Sequence, residues 1–473
     1  MSVSQAVYLR SPQWAQTVLL NFHGWRIERH RYGPPYHALV QRLLEQERWS
    51  AEQIREYQDA RVRAIVQIAY TKTPYYRSLF DAAGISPADV RGVADLPKLP
   101  LLTKDVVRAR GSELMTNDMP ERGWLHGHTS GTTGSPLSLW YDRAACVMNN
   151  AVDRRQKAWG GMPDDAWIGL LLGRVIVPLG QRRPPFWRTN WALRQNWFSS
   201  FHMSDQNLET YVAEIRRLGL RFLEGYPSTL YILASFLRRR GTTLPMQAVF
   251  SSSETLLPLQ RAVIESAFCC PLFDFYGLAE RVIFAGECEL HAGKHIAPEF
   301  GYTEVVDEEG MPVPPGQPGY LVGTSLHNTA MPMIRYRTTD CSTILTEPCA
   351  CGRTSPRLRD VTTKAEDIVV TPDGRMVSPS ALTHPFKPLD QIVKSQLVQE
   401  QPDHLLVKIV ASDRFGSEHE RQLVAALQER LGREVTIQVQ MVSEIPSESS
   451  GKYRWVISHV PHDRRLPWAP EPV

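Results

Sequence analysis

The stretch Thr129-Ser130-Gly131-Thr132-Thr133-Gly134 combines four hydroxyl side chains with two glycines, and Ser135-Pro136 follows. Glycine lets a backbone turn sharply and approach a ligand closely. Hydroxyls and exposed amides then offer donors to anionic oxygens. This is the chemistry of a phosphate-gripping loop, although an ordinary Ser/Gly turn has the same composition. The Walker type is excluded. It needs a Lys after its last Gly and a helix N-terminus, where Pro136 and Leu137 stand here.

Further candidates lie downstream: Ser253 and Glu254 in Ser251-Ser252-Ser253-Glu254, Tyr276, Gly277 and Glu280 in Tyr276-Gly277-Leu278-Ala279-Glu280, Asp340 in Tyr336-Arg337-Thr338-Thr339-Asp340, and Lys452 after Gly451. A tyrosine at a strand end either packs or offers its ring to a base. A glutamate is a surface charge or an oxygen ligand for a hard cation. A carboxylate such as Asp340 is acceptor-only and can take two donors. Cys288, His295, Cys349 and Cys351 supply three thiolates and an imidazole, a donor set suited to a closed tetrahedral zinc site. Their spacing is not that of a zinc finger, and His291 is the alternative ligand.

The elements that must carry these residues follow from periodicity. Residues 36–72 read as helical, with Tyr36, Val40, Leu43 and Leu44 on one apolar face and Ile54, Val62, Ile65 and Ala69 on another. Residues 75–101 read as loop. A strand is predicted at 137–141 and a helix at 143–158. Between 207 and 276, helix and strand alternate with stops at Gly219 and Gly241, which predicts a largely parallel α/β sheet. Ligands bind such sheets beyond the strand ends. Residues 302–346 read as short strands joined by Gly/Pro turns, a β-rich subdomain. Residues 363–473 read as a small α+β domain. In it, Ser417 and Glu420 form a capping box for a helix carrying Leu423, Leu427 and Leu431.

Taken together, these motifs resemble the adenylate-forming (AMP-forming) ligase superfamily, in its phenylacetate–CoA ligase-like and CapK-type branch. The resemblance spans about residues 36–460. It also rests on Gly225-Tyr226-Pro227-Ser228, Met331-Pro332-Met333-Ile334-Arg335-Tyr336-Arg337, Cys349-Ala350-Cys351-Gly352-Arg353 and Gly451-Lys452-Tyr453-Arg454. It implies a large N-terminal ATP- and acyl-binding domain, 1–362, of mixed α/β sheets. The domain at 363–473 would carry the catalytic lysine and rotate between two half-reactions. The implied reaction joins a carboxylic acid to ATP, releases pyrophosphate, and passes the acyl group to a thiol, CoA. An amine, a hydroxyl or a carrier-protein thiol is the alternative acceptor, and an inactive nucleotide-binding scaffold is the alternative of another class.

The resemblance also implies roles. Thr129 to Gly134, Thr132 among them, would hold the β- and γ-phosphates. Ser253, Glu254, Tyr276 and Gly277 would line the nucleotide site, with Tyr276 on adenine. Glu280 would hold Mg²⁺, Asp340 the ribose hydroxyls, and Lys452 the charge that develops in adenylation. Lys364 would contact the ribose or the hinge. Some relatives of this branch carry zinc. The sequence departs from the superfamily pattern in three places: Leu137 where a Lys is frequent, Thr339 where a Gly precedes the Asp, and Thr363-Lys364-Ala365-Glu366-Asp367 at a Gly-Arg-x-Asp-Asp hinge. Lys does not replace the forked contacts of Arg. Tyr226, Ser253 and Phe275 are candidates for the acyl pocket; Trp140 and Phe201 read as core.

Composition sets the remaining bounds. The net charge of +3 over 473 residues, with no long basic run, argues against a nucleic-acid protein. Val18-Leu19-Leu20 is too short for a secretory or spanning segment. Seven cysteines suit a reducing cytoplasm better than a disulfide framework. A monomer or homodimer acting on small molecules is expected.

Overall fold

The computed structural model describes residues 3–117, 124–128, 137–363, 369–373, 375–377, 379–386, 388–389, 391–445 and 455–460. Thr129 to Gly134, Lys364 and Lys452 lie outside them. The described chain forms two compact units, one ending at residue 363 and one starting at residue 369.

In the first unit, five strands run parallel in the spatial order Gln195–Phe198, Ile168–Leu171, Phe222–Gly225, Ala248–Ser252 and Leu272–Gly277. The three central ones are buried along their whole length, as strands covered on both faces must be. Helices Asp205–Arg217, Pro227–Arg239 and Pro258–Phe268 make the connections. Their apolar stripes, Leu208, Val212 and Ile215 in the first and Leu230, Leu233 and Leu237 in the second, join the strand residues in one core. The predicted alternation is what the chain forms.

Beyond Leu272–Gly277 the pairing turns antiparallel. The order continues Phe284–Glu287, Lys294–Ile296, Arg357–Leu358, Tyr336–Leu345, Pro318–Ser325 and Gly301–Val306. The β-rich part is therefore hydrogen-bonded into the same sheet as the parallel strands. Thr362–Thr363 pairs with Tyr336–Leu345 and sets Thr363 opposite Asp340.

Several expectations need correction. The helix expected over 36–72 is two, Pro34–Glu45 and Ala51–Lys72. Ser50 breaks it, because its hydroxyl accepts from Gln53 N–H at 3.2 Å while the Gln53 side chain accepts from Ser50 N–H at 2.8 Å. The segment expected to be loop begins with a helix, Pro74–Ala83. Pro74 stands at its first turn, where no N–H is needed, and Gly84 closes it at φ 64°. The helices Val3–Arg10 and Gln13–Arg31 and the strand pair Trp187–Asn190 and Gln195–Phe198 were not anticipated.

The second unit has a four-stranded sheet in the order Thr436–Met441, His404–Ala411, Ile392–Gln401, Val456–Ser458. Helix Ser417–Leu431 packs Leu423, Leu427 and Leu431 on Leu397, Leu405 and Val407. Ser417 is inside this helix rather than its cap. Gly416 is the cap residue, and its N–H goes to His419 Nδ1 at 3.1 Å.

A buried fork anchors the antiparallel half. Arg335, at φ 52°, donates to both Glu304 oxygens at 3.2 and 3.0 Å and to the carbonyls of Leu99 and Gly310 at 2.7 and 2.6 Å. Removing one member of a buried pair strands the other charge, so Arg335→Ala should lower stability by about 3–5 kcal/mol in denaturant unfolding. A loss below about 1 kcal/mol, the size typical of a surface pair, would contradict this.

Candidate functional site

The described site residues converge beyond the carboxyl ends of the parallel strands. Strand Leu272–Gly277 delivers Tyr276 and Gly277, and the turn after it delivers Glu280. Strand Tyr336–Leu345 delivers Tyr336 and Asp340. Two contacts tie the two segments together. Tyr276 donates its hydroxyl to Asp340 Oδ2 at 2.7 Å, and Tyr336 donates to Glu280 Oε1 at 2.7 Å. Tyr141 adds a third clamp by donating to the Ala279 carbonyl at 2.6 Å. Asp340 is held in turn through its own N–H, which donates to Thr338 Oγ1 at 3.1 Å.

Burial shapes the electrostatics. It raises the Glu280 carboxyl above its ordinary value of 4.5, with the Tyr336 hydrogen bond and the Lys104 charge pulling the other way. It also holds the Tyr276 hydroxyl well above the ordinary tyrosine range, and the Asp340 charge adds to this. Burial, then the Glu280 charge, raises Tyr336 as well, so both tyrosines stay protonated and act as donors.

Three non-glycine residues with left-handed backbones mark the same region: Ser253 at φ 69°, Arg281 at 55° and Arg335 at 52°. Each sits in, or next to, one of the motifs singled out from sequence. Such conformations cost about 1–3 kcal/mol and persist only where the surroundings impose them.

Glu254 braces the neighbouring turn, accepting from Ser228 N–H and Ser228 Oγ, both at 3.0 Å. The turn Gly225-Tyr226-Pro227-Ser228 sits tight against strand Ile168–Leu171; a Cβ on Gly225 would lie 3.1 Å from Leu171 Cβ. The hairpin strands Leu125–His128 and Ser138–Tyr141 pair so that His128 faces Ser138, at the two ends of the hydroxyl-rich loop. That loop, Lys364 and Lys452 are the expected site residues outside the described region. Tyr336, Ser228 and Tyr141 had no site role assigned from sequence. Only Tyr336 and Ser228 lay in a motif, and nothing local signals that their hydroxyls hold carboxylates.

Cys288, His295, Cys349 and Cys351 gather with all ligand atoms within 4.8 Å of one another. The Cys288 and Cys349 sulfurs are 3.8 Å apart, and Cys351 Sγ lies 3.4 Å from His295 Nε2. A tetrahedral ion with bonds of about 2.3 Å to sulfur and about 2.0 Å to nitrogen spaces its ligands by about 3.5–3.8 Å. His295 Nδ1 faces the Ser355 carbonyl at 3.3 Å, which can only accept, so that nitrogen carries the proton and Nε2 turns its lone pair to the sulfurs. Burial drops the His295 imidazole to about 4, keeping it neutral. Burial also pushes the Cys288 thiol up to about 12, so a thiolate there needs a cation beside it. The alternative ligand, His291, is engaged elsewhere, 3.0 Å from Glu287 Oε2.

Comparison with known proteins bears on what this arrangement belongs to. A family model described as the CapK C-terminal domain matches residues 369–459. Protein CapK of Staphylococcus aureus is 24% identical over 471 residues, covering 96% of this chain and 99% of its own. Phenylacetate-coenzyme A ligase of Thermus thermophilus is 28% identical over 444 residues, covering 86% of this chain and 96% of its own. Among solved structures, 2-hydroxyisobutyryl-CoA ligase in complex with 2-HIB-AMP and CoA in the thioesterification state aligns with a TM-score of 0.59 at 20% identity, over 88% of this chain and 92% of that one. At such identity it speaks for the fold alone. The chain shares the fold of that CoA ligase. In sequence the chain is similar to CapK over nearly its whole length and to phenylacetate-coenzyme A ligases over most of it.

The raised Glu280 carboxyl gives a stability test. A group that binds its proton more tightly in the folded chain stabilises it fully below the unfolded value, and that contribution is lost as pH rises through the folded value. In the metal- and nucleotide-free protein, Glu280→Gln should therefore be more stable than the native chain at pH 7. The gap should close as pH falls below 4.5. Denaturant unfolding at the two pH values checks this; a variant less stable at pH 7 would contradict it.

Proposed function

We propose that this chain activates a small carboxylic acid with ATP to an acyl-adenylate and pyrophosphate, then transfers the acyl group to a thiol, CoA. The observation that carries the reading is the pair of carboxylates, Glu280 and Asp340, each held by a tyrosine hydroxyl beyond a parallel sheet. Similarity to a phenylacetate-coenzyme A ligase over most of the chain supports it.

Residues 1–362 bind ATP and the acid, and residues 363–473 supply Lys452. Asp340 accepts from the ribose hydroxyls; Tyr276, fixed by its bond to Asp340, presents its ring to adenine beside Gly277. Thr129, Ser130, Gly131, Thr132, Thr133 and Gly134 hold the departing phosphates. Glu280 offers a carboxylate oxygen to Mg²⁺, a hard cation that neutralises phosphate charge when bound. Ser253 and Tyr226 line the acid's side of the crevice, and Glu254 sets that wall through Ser228. Lys364 steadies the ribose or the hinge. Lys452 is the cation assigned to offset the charge that grows on the α-phosphate, where one well-placed donor is worth about 3–4 kcal/mol. The protein works in the cytoplasm as a monomer or homodimer.

The Cys288, His295, Cys349 and Cys351 cluster fits Zn²⁺ by donor set and spacing. Its role would be structural, since the four protein donors would leave no open position for a substrate. It joins the turn after strand Phe284–Glu287 to the loop that follows Tyr336–Leu345, and so stiffens the neighbourhood of Glu280.

Three experiments test these readings. Carboxylate-dependent exchange of pyrophosphate into ATP, screened over aryl and alkyl acids, should occur and should fall by about 10²–10³-fold in Lys452→Ala. Exchange at the native rate in the variant removes the role given to Lys452; no exchange with any acid, in a chain that still binds ATP, favours an inactive scaffold. AMP release with CoA, a carrier protein or an amine as acceptor separates the transfer alternatives. Metal analysis should find one zinc per chain, and its chelation should lower the unfolding temperature. Absence of zinc ends the assignment.

A further inference from the structure

The helix Gln13–Arg31 is turned inside out. Its inward face is polar and pinned to the sheet edge. Gln16, almost fully buried, accepts from Arg188 at 2.8 and 2.5 Å. Asn21 donates to the Thr189 carbonyl at 2.9 Å and accepts from Trp191 N–H at 2.7 Å. Gly24 lets the helix approach Asn190 so closely that a Cβ would lie 2.4 Å from its amide.

The outward face is apolar. Trp14, Val18, Phe22 and Trp25 follow one another at spacings of four, four and three, a single stripe of an α-helix. They are 72%, 59%, 58% and 48% exposed, and Leu19, next to Val18, is 41% exposed. A contiguous exposed apolar stripe of this kind marks a contact surface. With its polar face fastened, the helix cannot roll to hide it.

Charge identifies the occupant. Exposed Arg26 and Arg29 flank the stripe, and with Phe22, Trp25 and Arg143 they line a shallow groove. Arg29 lies 4.9 Å over the Trp25 ring. Four arginines against one glutamate give residues 3–31 a net +3, as much as the whole chain carries. A second copy docking isologously would present this same segment, which holds one carboxylate, Glu28, for its four arginines. An anionic lipid surface takes both features at once: aromatic rings at headgroup depth and arginines on the phosphates. No helix among the described residues is long and apolar enough to cross a membrane, so this one lies on the surface. We propose that the face of Gln13–Arg31 bearing Trp14, Val18, Phe22, Trp25, Arg26 and Arg29 docks the protein peripherally on anionic phospholipid. The proposal does not depend on the ligase reading.

The test uses the full chain and vesicles of phosphatidylcholine, alone or mixed equally with phosphatidylglycerol. The protein should sediment with the mixed vesicles, with a blue shift of tryptophan fluorescence, and much less with the neutral ones. Arg26→Gln with Arg29→Gln should weaken binding by roughly thirty-fold, and Phe22→Ser with Trp25→Ser should abolish the blue shift. Both variants should keep the native unfolding temperature. No binding to the mixed vesicles overturns the proposal. So does a native dimer, seen by light scattering, that Phe22→Ser with Trp25→Ser converts to monomer, since a second copy then owns the face.

Discussion

Two phenolic hydrogens, from Tyr276 and Tyr336, are each given to a carboxylate, and the rest of the site depends on these contacts. They join the last strand of the parallel sheet and the turn after it to a strand more than fifty residues further on. Burying Glu280 and half-burying Asp340 without such donors would carry a large desolvation penalty. With them, two acceptor-only groups stand side by side where the sheet changes from parallel to antiparallel pairing. That switch keeps strand Tyr336–Leu345 in the same sheet as Leu272–Gly277, and so sets Asp340 within reach of Tyr276.

The surroundings keep this geometry by spending charge inside the fold. Arg335 anchors the start of its strand on Glu304 and two carbonyls. On the other side, Lys294 lies 3.2 Å from both Asp274 and Asp360. Burial pushes the Asp274 carboxyl up to about 6 in spite of Lys294. Against its own burial, Glu287 is held down to about 2 by His291, Lys294 and Arg261. Glu287 and Lys294 directly neighbour Cys288 and His295 in sequence. A metal at that cluster and the buried ion network would therefore brace the same strands that lead from Glu280.

What the sequence made legible was periodic or local. The helices of the parallel half show their stripes plainly, because one face meets the core and the other meets water. The motifs around Tyr276, Glu280 and Asp340 were visible as motifs, and the sulfur ligands as a donor set. The misses have physical reasons. Pro74 reads as a breaker although it opens a helix. Helix Gln13–Arg31 carries its apolar residues outward, so its pattern does not point to a core. Strands Trp187–Asn190 and Gln195–Phe198 are four residues each, too short for an alternation to register. The bond from Tyr336 to Glu280 spans 56 residues, and only the sheet order reveals it.

In the proposed reaction a substrate carboxylate attacks the α-phosphate of ATP. Labelling both carboxylate oxygens of an accepted acid with ¹⁸O, running a turnover with ATP and CoA, and weighing the products by mass spectrometry tests it directly. AMP should carry one ¹⁸O and the thioester should retain the other. Label in inorganic phosphate with ADP formed, or AMP free of label, would contradict it.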